Sequence, residues 1–371
     1  MEKKKKKRKR KRSGLKIVCA ILAIIIAFAG GGLYAFKKLY DKMVITPVSK
    51  DELTDIPNYD RYQIDKDINQ NIAIFGVDEE EARTDVIFVM HINSETKDIQ
   101  LVAVPRDTKV YWSDYQNEKM QQLGKDTYEY TKITDMSFYG GIDNLRYFTI
   151  NSIEDIMGIK IDHYVIINTS AFRKIVDAIG GVDINVPRRM EYDDNWQGLH
   201  IDLQPGMQHL DGADAEGLVR WRHNGDYSEQ YAEGDIGRIE TQQLFLKALA
   251  DKVLSGSGAI DLVKIATSVY DDIKTDVQFN ELCGYLGLVT KFNTSNIGFH
   301  TLPGESVHED RWYYVYEQDA VDEFMQEILG LKPKIENEVS NEEDSLNTDD
   351  SDNDDSDNNE EDNYEEESDE Y

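Results

Sequence analysis

The sequence predicts a layered α/β domain, an α-β-α arrangement around a central mixed sheet, preceded by one transmembrane helix and followed by a disordered acidic tail. Short apolar strands alternate with stretches of helical periodicity in the middle of the chain, which is typical of a layered α/β domain. An uncharged apolar run precedes this region, and a dense series of Asp and Glu follows it. The formal net charge of -31 therefore averages segments of different character, and each segment is interpreted by itself.

The amino-terminal segment has the pattern of a membrane anchor. Residues 3–12 are an unbroken run of Lys and Arg, and residues 17–36 are apolar without a charge. About 20 such residues suffice for an α-helix to cross the hydrocarbon core, and flanking positive charge stays on the cytoplasmic side. We therefore expect a single-pass protein of the cell membrane with a cytoplasmic amino terminus and an extracellular domain. The predicted segments are the cytoplasmic residues 1–16, the anchor 17–36, a linker 37–69, the domain 70–331 and the tail 332–371.

Two other interpretations of the amino-terminal segment are possible. A cleaved secretory signal would place its small-residue site at residues 27–29, but the apolar run continues beyond it, and Lys37 and Lys38 then mark a membrane boundary. The Lys/Arg run could instead bind nucleic acid. Its position beside the apolar span favours an orientation signal in contact with anionic lipid, so we expect no nucleic-acid partner.

The tail and the cysteine count limit what the rest of the chain can be. No basic residue follows Lys334, and a segment this rich in like charge cannot bury enough apolar surface to fold. Cys283 is the only cysteine after the anchor, so the exterior domain has no intramolecular disulfide and depends on its core.

The secondary structure of the domain is predicted in chain order. Apolar strands are expected at residues 71–76, 85–92 and 99–104, and the middle one is so apolar that it should be buried on both faces. The remaining pattern predicts a helical segment at 141–157, a strand at 164–167, a helix at 171–179 that stops at Gly180-Gly181, a strand at 182–186, and helices at 237–254, 260–269, 280–291 and 319–329.

Arginines and carboxylates recur beside these predicted elements. Guanidinium groups offer paired donors and stay charged at any relevant pH, so they suit a ligand that carries several phosphate oxygens. Arg238 and Gln242 are four residues apart on a predicted helix, so both side chains emerge on one face and can reach the same group. The residues of interest are Asp78, Arg83, Asp85, Arg106, Asp107, Lys132, Arg220, Arg222, Asp235, Arg238 and Gln242.

Together these motifs resemble the LytR-CpsA-Psr family. The resemblance covers roughly residues 70 to 255 and rests on the order and spacing of several blocks, none of which is specific alone. The blocks are Gly-x-Asp ending at Asp78, Arg-x-Asp ending at Asp85, Pro-Arg-Asp at 105–107, Arg-x-Arg at 220–222, Asp-x-Gly-Arg-x-x-x-Gln at 235–242, and the phrase GIKIDHYVIINTSAFRKIVDAIGGVDINVP.

The resemblance implies an enzyme of a Gram-positive-type envelope. Such a phosphotransferase takes a glycopolymer, either teichoic acid, capsular polysaccharide or a related polymer, from a polyprenyl-pyrophosphate carrier. It joins that polymer to peptidoglycan through a phosphodiester, with magnesium or manganese assisting. The implied partners are therefore the lipid-linked glycopolymer, peptidoglycan and the membrane.

The resemblance also implies roles for the residues. The catalytic residues are Arg106, Asp107 and Arg238. The pyrophosphate-binding residues are Arg83, Arg106, Lys132, Arg220, Arg222, Arg238 and Gln242. Asp235 would orient Arg238, although a carboxylate just before a helix can equally cap it. Asp107 would orient Arg106 or act as a base, and a plain surface ion pair is the alternative.

The expected metal ligands are Asp78 and Asp85. Mg²⁺ is usually held by one or two carboxylates with waters and substrate phosphate oxygens. Asp78 follows the first predicted strand and Asp85 opens the second, which could bring both carboxylates to one cleft mouth. The alternative for Asp78 is an ordinary turn carboxylate in a polar loop.

The sequence departs from the family pattern at three places. Thr134 stands where the family usually has Asn, Thr241 stands where an Arg is common, and the link at residues 223–234 is longer and more acidic than usual. A polyprenyl tail also needs an apolar cavity, whose lining residues look like core residues in sequence. Those that fit either role are Phe148, Ile153, Ile156, Phe172, Leu244 and Leu249.

Two other functions use the same residues. A membrane-anchored regulator or transcriptional attenuator could bind the lipid carrier, but the 16 residues predicted on the cytoplasmic side are too few for a folded DNA-binding module. A hydrolase could cleave the lipid pyrophosphate with water in place of the sugar acceptor.

Overall fold

The computed structural model describes residues 40–45, 61–63, 69–78, 83–231, 235–254, 268–269, 271–278 and 297–333. The predicted anchor at residues 17–36 lies outside these ranges, as do nearly all of the predicted tail, the predicted helix at 280–291 and most of the one at 260–269. Within the described ranges, no helix is both long enough and apolar enough to cross a membrane.

The strands and helices follow in chain order. The strands are β1 Tyr62–Gln63, β2 Asn69–Val77, β3 Thr84–Asn93, β4 Asp98–Ala103, β5 Lys109–Tyr111, β6 Tyr130–Lys132, β7 His163–Asn168, β8 Val182–Val186, β9 Met190–Asp194, β10 Leu199–Leu203, β11 Gly206–Leu210, β12 Ile273–Thr275, β13 Ile297–Thr301, β14 Glu305–His308, β15 Trp312–Val315 and β16 Lys332–Pro333. The helices are α1 Asp114–Gln122, α2 Ile133–Gly140, α3 Thr149–Met157, α4 Thr169–Ala178, α5 Gly212–Arg220, α6 Asp235–Leu254 and α7 Gln318–Leu329.

A six-stranded mixed sheet, in the order β12-β7-β2-β3-β4-β13, forms the centre of the fold. Strand β3 pairs antiparallel with β2 and β4, β12 pairs antiparallel with β7, and the pairs β2-β7 and β4-β13 are parallel. This sheet confirms the predicted mixed architecture. The strands predicted at 71–76, 85–92 and 164–167 fall inside β2, β3 and β7, and the strand predicted at 182–186 coincides with β8.

The central strands supply two hydrophobic cores, one on each face of the sheet. Side chains alternate along a strand, so Ile72 and Phe88 join one core while their neighbours Ala73 and Val89 join the other. The first core is completed by helices α4, α5 and α6, and the second core by α2, α3 and α7. Helices therefore cover both faces, as predicted for an α-β-α domain.

The helix predicted at residues 141–157 is wrong in its first half. Gly141 has a φ of +95°, a left-handed value that ends α2, and a 3-10 turn at Ile142–Asn144 follows it. Helix α3 begins only at Thr149. Leu145 and Phe148 are nonetheless buried in the turn that precedes α3. The spacing of apolar residues there indicates that the side chains are buried, but it does not indicate a helical backbone.

A buried charge cluster lies at the edge of the sheet formed by β7 and β12. Arg146 lies between Glu154 of α3 at 3.4 Å and Asp276 at 3.3 Å, and it also donates to the carbonyl oxygen of Ile161 at 2.7 Å. Glu154 accepts the N–H of Ile161 at 2.9 Å. Burial raises the pKa of Glu154 to about 7, because the charge of Arg146 offsets only part of the desolvation.

Candidate functional site

A cavity of about 1140 Å³ lies on the first-core side of the sheet, bounded by α4, α5, α6 and the β9-β10 hairpin. One part of its wall is apolar and is formed by Ile74, Phe88, Leu101, Phe172, Ile175, Phe245 and Leu249. Another part is polar and contains Asp78, Arg83, Asp85, Arg106, Arg220, Arg222, Arg238 and Gln242. The structure therefore brings eight of the eleven predicted site residues to one cavity wall.

Arg106 lies among three carboxylates just beyond the end of β4. Its Nη1 donates to Asp85 Oδ1 at 2.5 Å, and its Nε lies 3.7 Å from Asp235 Oδ1 and 3.8 Å from Asp107 Oδ1. Burial by itself lowers the pKa of Arg106, but the attraction of Asp85, Asp235 and Asp107 outweighs it and raises the pKa above its ordinary value. Arg106 is therefore held charged and in one place.

Arg238 lies in the first turn of α6 and is buried. The pKa of Arg238 is lowered to about 10, chiefly by burial. Repulsion from Arg106 and Arg222 lowers this pKa further, and attraction to Asp235 raises it in part. The guanidinium stays protonated at neutral pH. Its Nη2 donates to Asp235 Oδ1, three residues earlier on the helix.

The position of Asp235 differs from the prediction. We expected Asp235 just before the helix, whereas α6 begins at Asp235 itself. Among the described residues, the Asp235 carboxylate accepts from Arg238 and from no backbone N–H group of the helix. This geometry favours the orienting role over the capping role.

Arg222 completes a group that we call the arginine cluster, namely Arg106, Arg222 and Arg238. Burial lowers the pKa of Arg222, as does repulsion from Arg106, while Asp235, Asp107 and Asp85 act in the opposite direction. Asp235 and Asp85 thus act on all three arginines. Like charges are gathered here at an energetic cost, which is common at sites that bind an anion.

Several buried polar atoms of the cluster have no hydrogen-bond partner among the described residues. They are Arg106 Nε, Arg238 Nε and Asp235 Oδ2. Buried groups left without partners are costly, and native proteins keep few of them. Arg106 and Arg238 line the cavity, and each has an Nε–H group without an acceptor. Phosphate oxygens can accept hydrogen bonds from these two groups.

Gln242 and Arg220 approach the cavity from other directions. Gln242 lies one turn after Arg238, lines the same wall as predicted, and donates to the carbonyl oxygen of Val219 at 3.2 Å. Arg220 donates from Nη1 to Glu216 at 2.6 Å and from Nη2 to Gln197. The ion pair of Arg220 is with Glu216 on the same helix, and Arg220 is not counted in the arginine cluster.

Asp78, Arg83 and Asp85 lie where β2 ends and β3 begins. The two strands are antiparallel neighbours with Val77 opposite Thr84, which brings all three side chains to the cavity wall, as predicted. Within the described part of the chain, no group of three or more His, Cys, Asp or Glu side chains is placed to hold a metal. Two carboxylates nevertheless fit Mg²⁺ or Mn²⁺, because phosphate oxygens and water usually supply the other ligands.

Asp107 and Lys132 lie beside the cavity and are not part of its lining. Lys132 Nζ is 3.0 Å from Asp107 Oδ1, which is closer than the 3.8 Å between Asp107 and Arg106. The side chains of Asp107, Lys132 and Arg106 are only 17–19% exposed, so Asp107 lies in a largely buried group of charges. Lys132 thus contacts the arginine cluster through Asp107.

The departures from the family pattern have structural counterparts. Thr241 is buried, and its hydroxyl lies 2.6 Å from the hydroxyl of Tyr231, so this position faces the packed interior of the longer link. Tyr231 in turn packs on Trp221 with ring centroids 4.9 Å apart. Thr134 is buried, and its N–H donates to the carbonyl oxygen of Arg106 at 3.1 Å.

The six apolar residues that fit either the cavity or the core divide between different places. Phe172 and Leu249 line the cavity. Phe148, Ile153 and Ile156 belong to the second core on the opposite face of the sheet, which is the core alternative. Leu244 is 37% exposed and is not part of the lining, which its neighbours Phe245 and Leu246 provide instead.

Glu216, Trp196 and Gln197 are among the cavity-wall residues that the sequence analysis did not single out. Glu216 is a buried carboxylate four residues before Arg220, a spacing that already indicates an ion pair on a helix. Trp196 and Gln197 lie at the tip of the β9-β10 hairpin, and Trp196 is fully exposed. No local pattern in the sequence points to the hairpin tip.

An α-β-α domain with arginines at one wall of an apolar cavity has the chemistry to hold an amphiphilic anion. The profile described as the LytR_cpsA_psr family matches residues 37–329, and the chain belongs to this family.

Individual relatives can be named. The chain is 27% identical over 276 residues to the polyisoprenyl-teichoic acid--peptidoglycan teichoic acid transferase TagV of Bacillus subtilis (strain 168), a match that spans 71% of this chain and 65% of that protein. It is 26% identical over 321 residues to the transferase TagU of Bacillus cereus, spanning 82% of this chain and 94% of that protein. The crystal structure of Bacillus subtilis TagV has a TM-score of 0.54 at 23% identity, covering 72% of this chain and all of that one, which shows the shared fold.

Proposed function

We propose that this protein is a phosphotransferase that moves a glycopolymer from a polyprenyl-pyrophosphate carrier to peptidoglycan. The acceptor hydroxyl attacks the phosphorus that carries the polymer, the P–O–P bond of the pyrophosphate breaks, and polyprenyl phosphate leaves, so that a phosphodiester joins polymer and peptidoglycan. The observation that carries the proposal is the arginine cluster on the wall of an apolar cavity, because a polyprenyl pyrophosphate has the same division between a charged head and an apolar tail. The names of the TagV and TagU relatives support the reaction and both substrates.

The arginine cluster binds the pyrophosphate and stabilises its charge in the transition state. Phosphoryl transfer gains most of its rate from positioning and from charge stabilisation on the phosphate oxygens. Asp85 and Asp235 hold the guanidinium groups of Arg106 and Arg238 in place before the substrate arrives, so little reorganisation is needed during the reaction. Gln242 adds an amide on the same helical face as Arg238, and Arg83 adds a charge beside Asp85.

Asp107 positions its neighbours in this proposal. It lies between Arg106 and Lys132 and is largely buried, so it fixes the outer side of the arginine cluster. A phosphoryl acceptor with a hydroxyl group needs little assistance from a strong base.

Asp78 and Asp85 would hold Mg²⁺ or Mn²⁺ through their carboxylate oxygens. Both line the cavity where β2 and β3 meet, next to Arg83 and Arg106. When bound, the cation supplies additional neutralisation of phosphate charge. Asp85 also accepts from Arg106, so one carboxylate would link the cation to the arginine cluster.

The apolar wall accommodates the polyprenyl tail. Phe172 and Phe245 lie with ring centroids 5.2 Å apart, and Leu249 lies one turn further along α6. Burial of a hydrocarbon chain against such a surface is favourable roughly in proportion to the area removed from water. The polymer and the peptidoglycan acceptor remain outside this wall.

The site is proposed to work outside the cell membrane of a Gram-positive-type envelope. The support is the sequence pattern of residues 1–36, a basic run followed by an uncharged apolar run. A membrane anchor at this position keeps the cavity near the leaflet in which the lipid carrier lies.

A transfer assay tests the function. The full chain in detergent is mixed with a synthetic lipid-pyrophosphate carrying a radiolabelled glycopolymer, together with peptidoglycan, with magnesium or with a chelator. We expect magnesium-dependent covalent attachment of label to peptidoglycan. Release of free polymer without attachment would support a hydrolase, and carrier binding without either product would support a regulator.

A further inference from the structure

Glu216 is a buried carboxylate in the cavity wall, outside the arginine cluster. It lies on α5, and its side chain is 4% exposed. Its Oε1 accepts from Arg220 Nη1 at 2.6 Å, and its Oε2 lies 2.7 Å from Arg173 Nε. Each carboxylate oxygen thus contacts a different arginine, one on α5 and one on α4.

Arg220 continues this chain of contacts to the β9-β10 hairpin. Its Nη2 donates to Gln197 Oε1 at the hairpin tip, and Gln197 Nε2 donates to Asp194 Oδ2 at 2.9 Å. Glu216, Arg220 and Gln197 all line the cavity. The contacts therefore run from α4 across α5 to the tip that borders the cavity.

The arrangement is expensive to maintain if its only role is stability. A buried ion pair is often no more stabilising than apolar side chains of the same volume, because both charges lose their hydration. A carboxylate at this position is explained by the two arginine side chains that it holds in place, Arg173 and Arg220.

We propose that Glu216 is a positioning residue for the lipid-linked substrate: it holds Arg220 against Gln197 and so keeps the hairpin tip and one guanidinium on the same side of the cavity. This inference rests on the proposed function. Arg220 then meets the head of the substrate from the hairpin side, while the arginine cluster meets the pyrophosphate from the sheet side. Without Glu216, Arg220 and the hairpin tip are no longer held together.

Binding of undecaprenyl pyrophosphate to the full chain in detergent tests the positioning role separately from transfer. We expect Glu216→Leu to weaken binding about tenfold, the loss of one charge-assisted contact. Glu216→Gln should give a smaller loss, because its amide oxygen can still accept from Arg220. Asp214→Asn, at an exposed acidic position on the same helix, is the matched control and should bind as the unaltered chain does.

A double-mutant cycle tests the path of the effect. If Glu216 acts through Arg220 and Gln197, then the Glu216→Leu, Gln197→Ala double variant should bind no more weakly than Glu216→Leu alone. Additive losses would overturn the proposal. So would a Glu216→Leu variant that unfolds at a lower temperature but binds with unchanged affinity, since that result indicates a structural role only.

Kinetics of transfer give the second measurement. Glu216→Leu should raise KM for the lipid-linked substrate, with kcat within about twofold, because Arg220 lies outside the arginine cluster. A large fall in kcat at unchanged KM would contradict the positioning role. If the unaltered chain bound no undecaprenyl pyrophosphate, the proposed function itself would fail, which distinguishes the two failures.

Discussion

Replacement of Glu154 by Gln should stabilise the protein at alkaline pH and leave its stability unchanged in acid. The pKa of Glu154 rises from 4.5 to about 7 on folding, chiefly because burial penalises the charged form. Between these two pH values the folded chain binds a proton that the unfolded chain does not, so the free energy of unfolding falls as pH rises through that window. At about 1.36 kcal/mol per pKa unit the full effect is roughly 3 kcal/mol, reached above pH ~7. Gln is neutral at every pH and avoids this loss.

The assay is urea unfolding of the unaltered chain and of Glu154→Gln between about pH 4.5 and pH 8. The difference between the two chains isolates Glu154, because other titrating groups cancel, including His91, whose pKa burial lowers to about 4. We expect the variant to be equal in stability near pH 4.5 and more stable by roughly 3 kcal/mol at pH 8. The exposed Glu118→Gln serves as control. A variant less stable than the unaltered chain at pH 8 would refute the reasoning, since Arg146 would then favour the ionised carboxylate more than burial penalises it.

Three further predictions concern the site. Arg106→Ala and Arg238→Ala should each lower the transfer rate by about 10²–10³ because each removes a donor to developing phosphate charge, and circular dichroism should confirm that both variants fold. Asp78→Ala and Asp85→Ala should raise the magnesium concentration needed for half-maximal transfer, and an unchanged titration curve in both would exclude them as ligands. Phe172→Ala should raise KM for a carrier with a long prenyl tail more than for a short-chain analogue, whereas an equal effect on both would argue against a tail-binding wall.

The apolar runs of the central strands could be predicted because burial on both faces leaves a continuous pattern. Strands β2 and β3 and helix α6 were placed within a few residues for this reason. The edge strands β12 and β13 are short, and β13 is only partly buried throughout, so they carry no comparable signal. Outside the central sheet, β8 was predicted, but the β9-β10 and β14-β15 hairpins were not, because their strands are only four or five residues long.

The site could be predicted where its chemistry is carried by motifs, and not where it depends on the fold. Asp78, Arg106 and Arg238 lie on one cavity wall, as the resemblance to the family implied. Phe148 could not be assigned to cavity or core from the sequence, because periodicity shows that a side chain is buried but not which face of the sheet receives it. Glu216 was missed because a Glu four residues from an Arg is usually an exposed pair, and its burial follows only from the packing of α5.

The aspartates around the arginine cluster make the site close to electrically neutral before any ligand enters. Three guanidinium charges are matched by three carboxylates, so a pyrophosphate does not enter a field of uncompensated positive charge. It instead binds at guanidinium N–H groups that the carboxylates leave without a partner, among them Arg106 Nε and Arg238 Nε, and it then brings excess negative charge into the cavity. In the proposed reaction, a divalent cation held by Asp78 and Asp85 would restore the balance. Anion and cation would then be thermodynamically linked, and each is expected to raise the affinity for the other by the same factor.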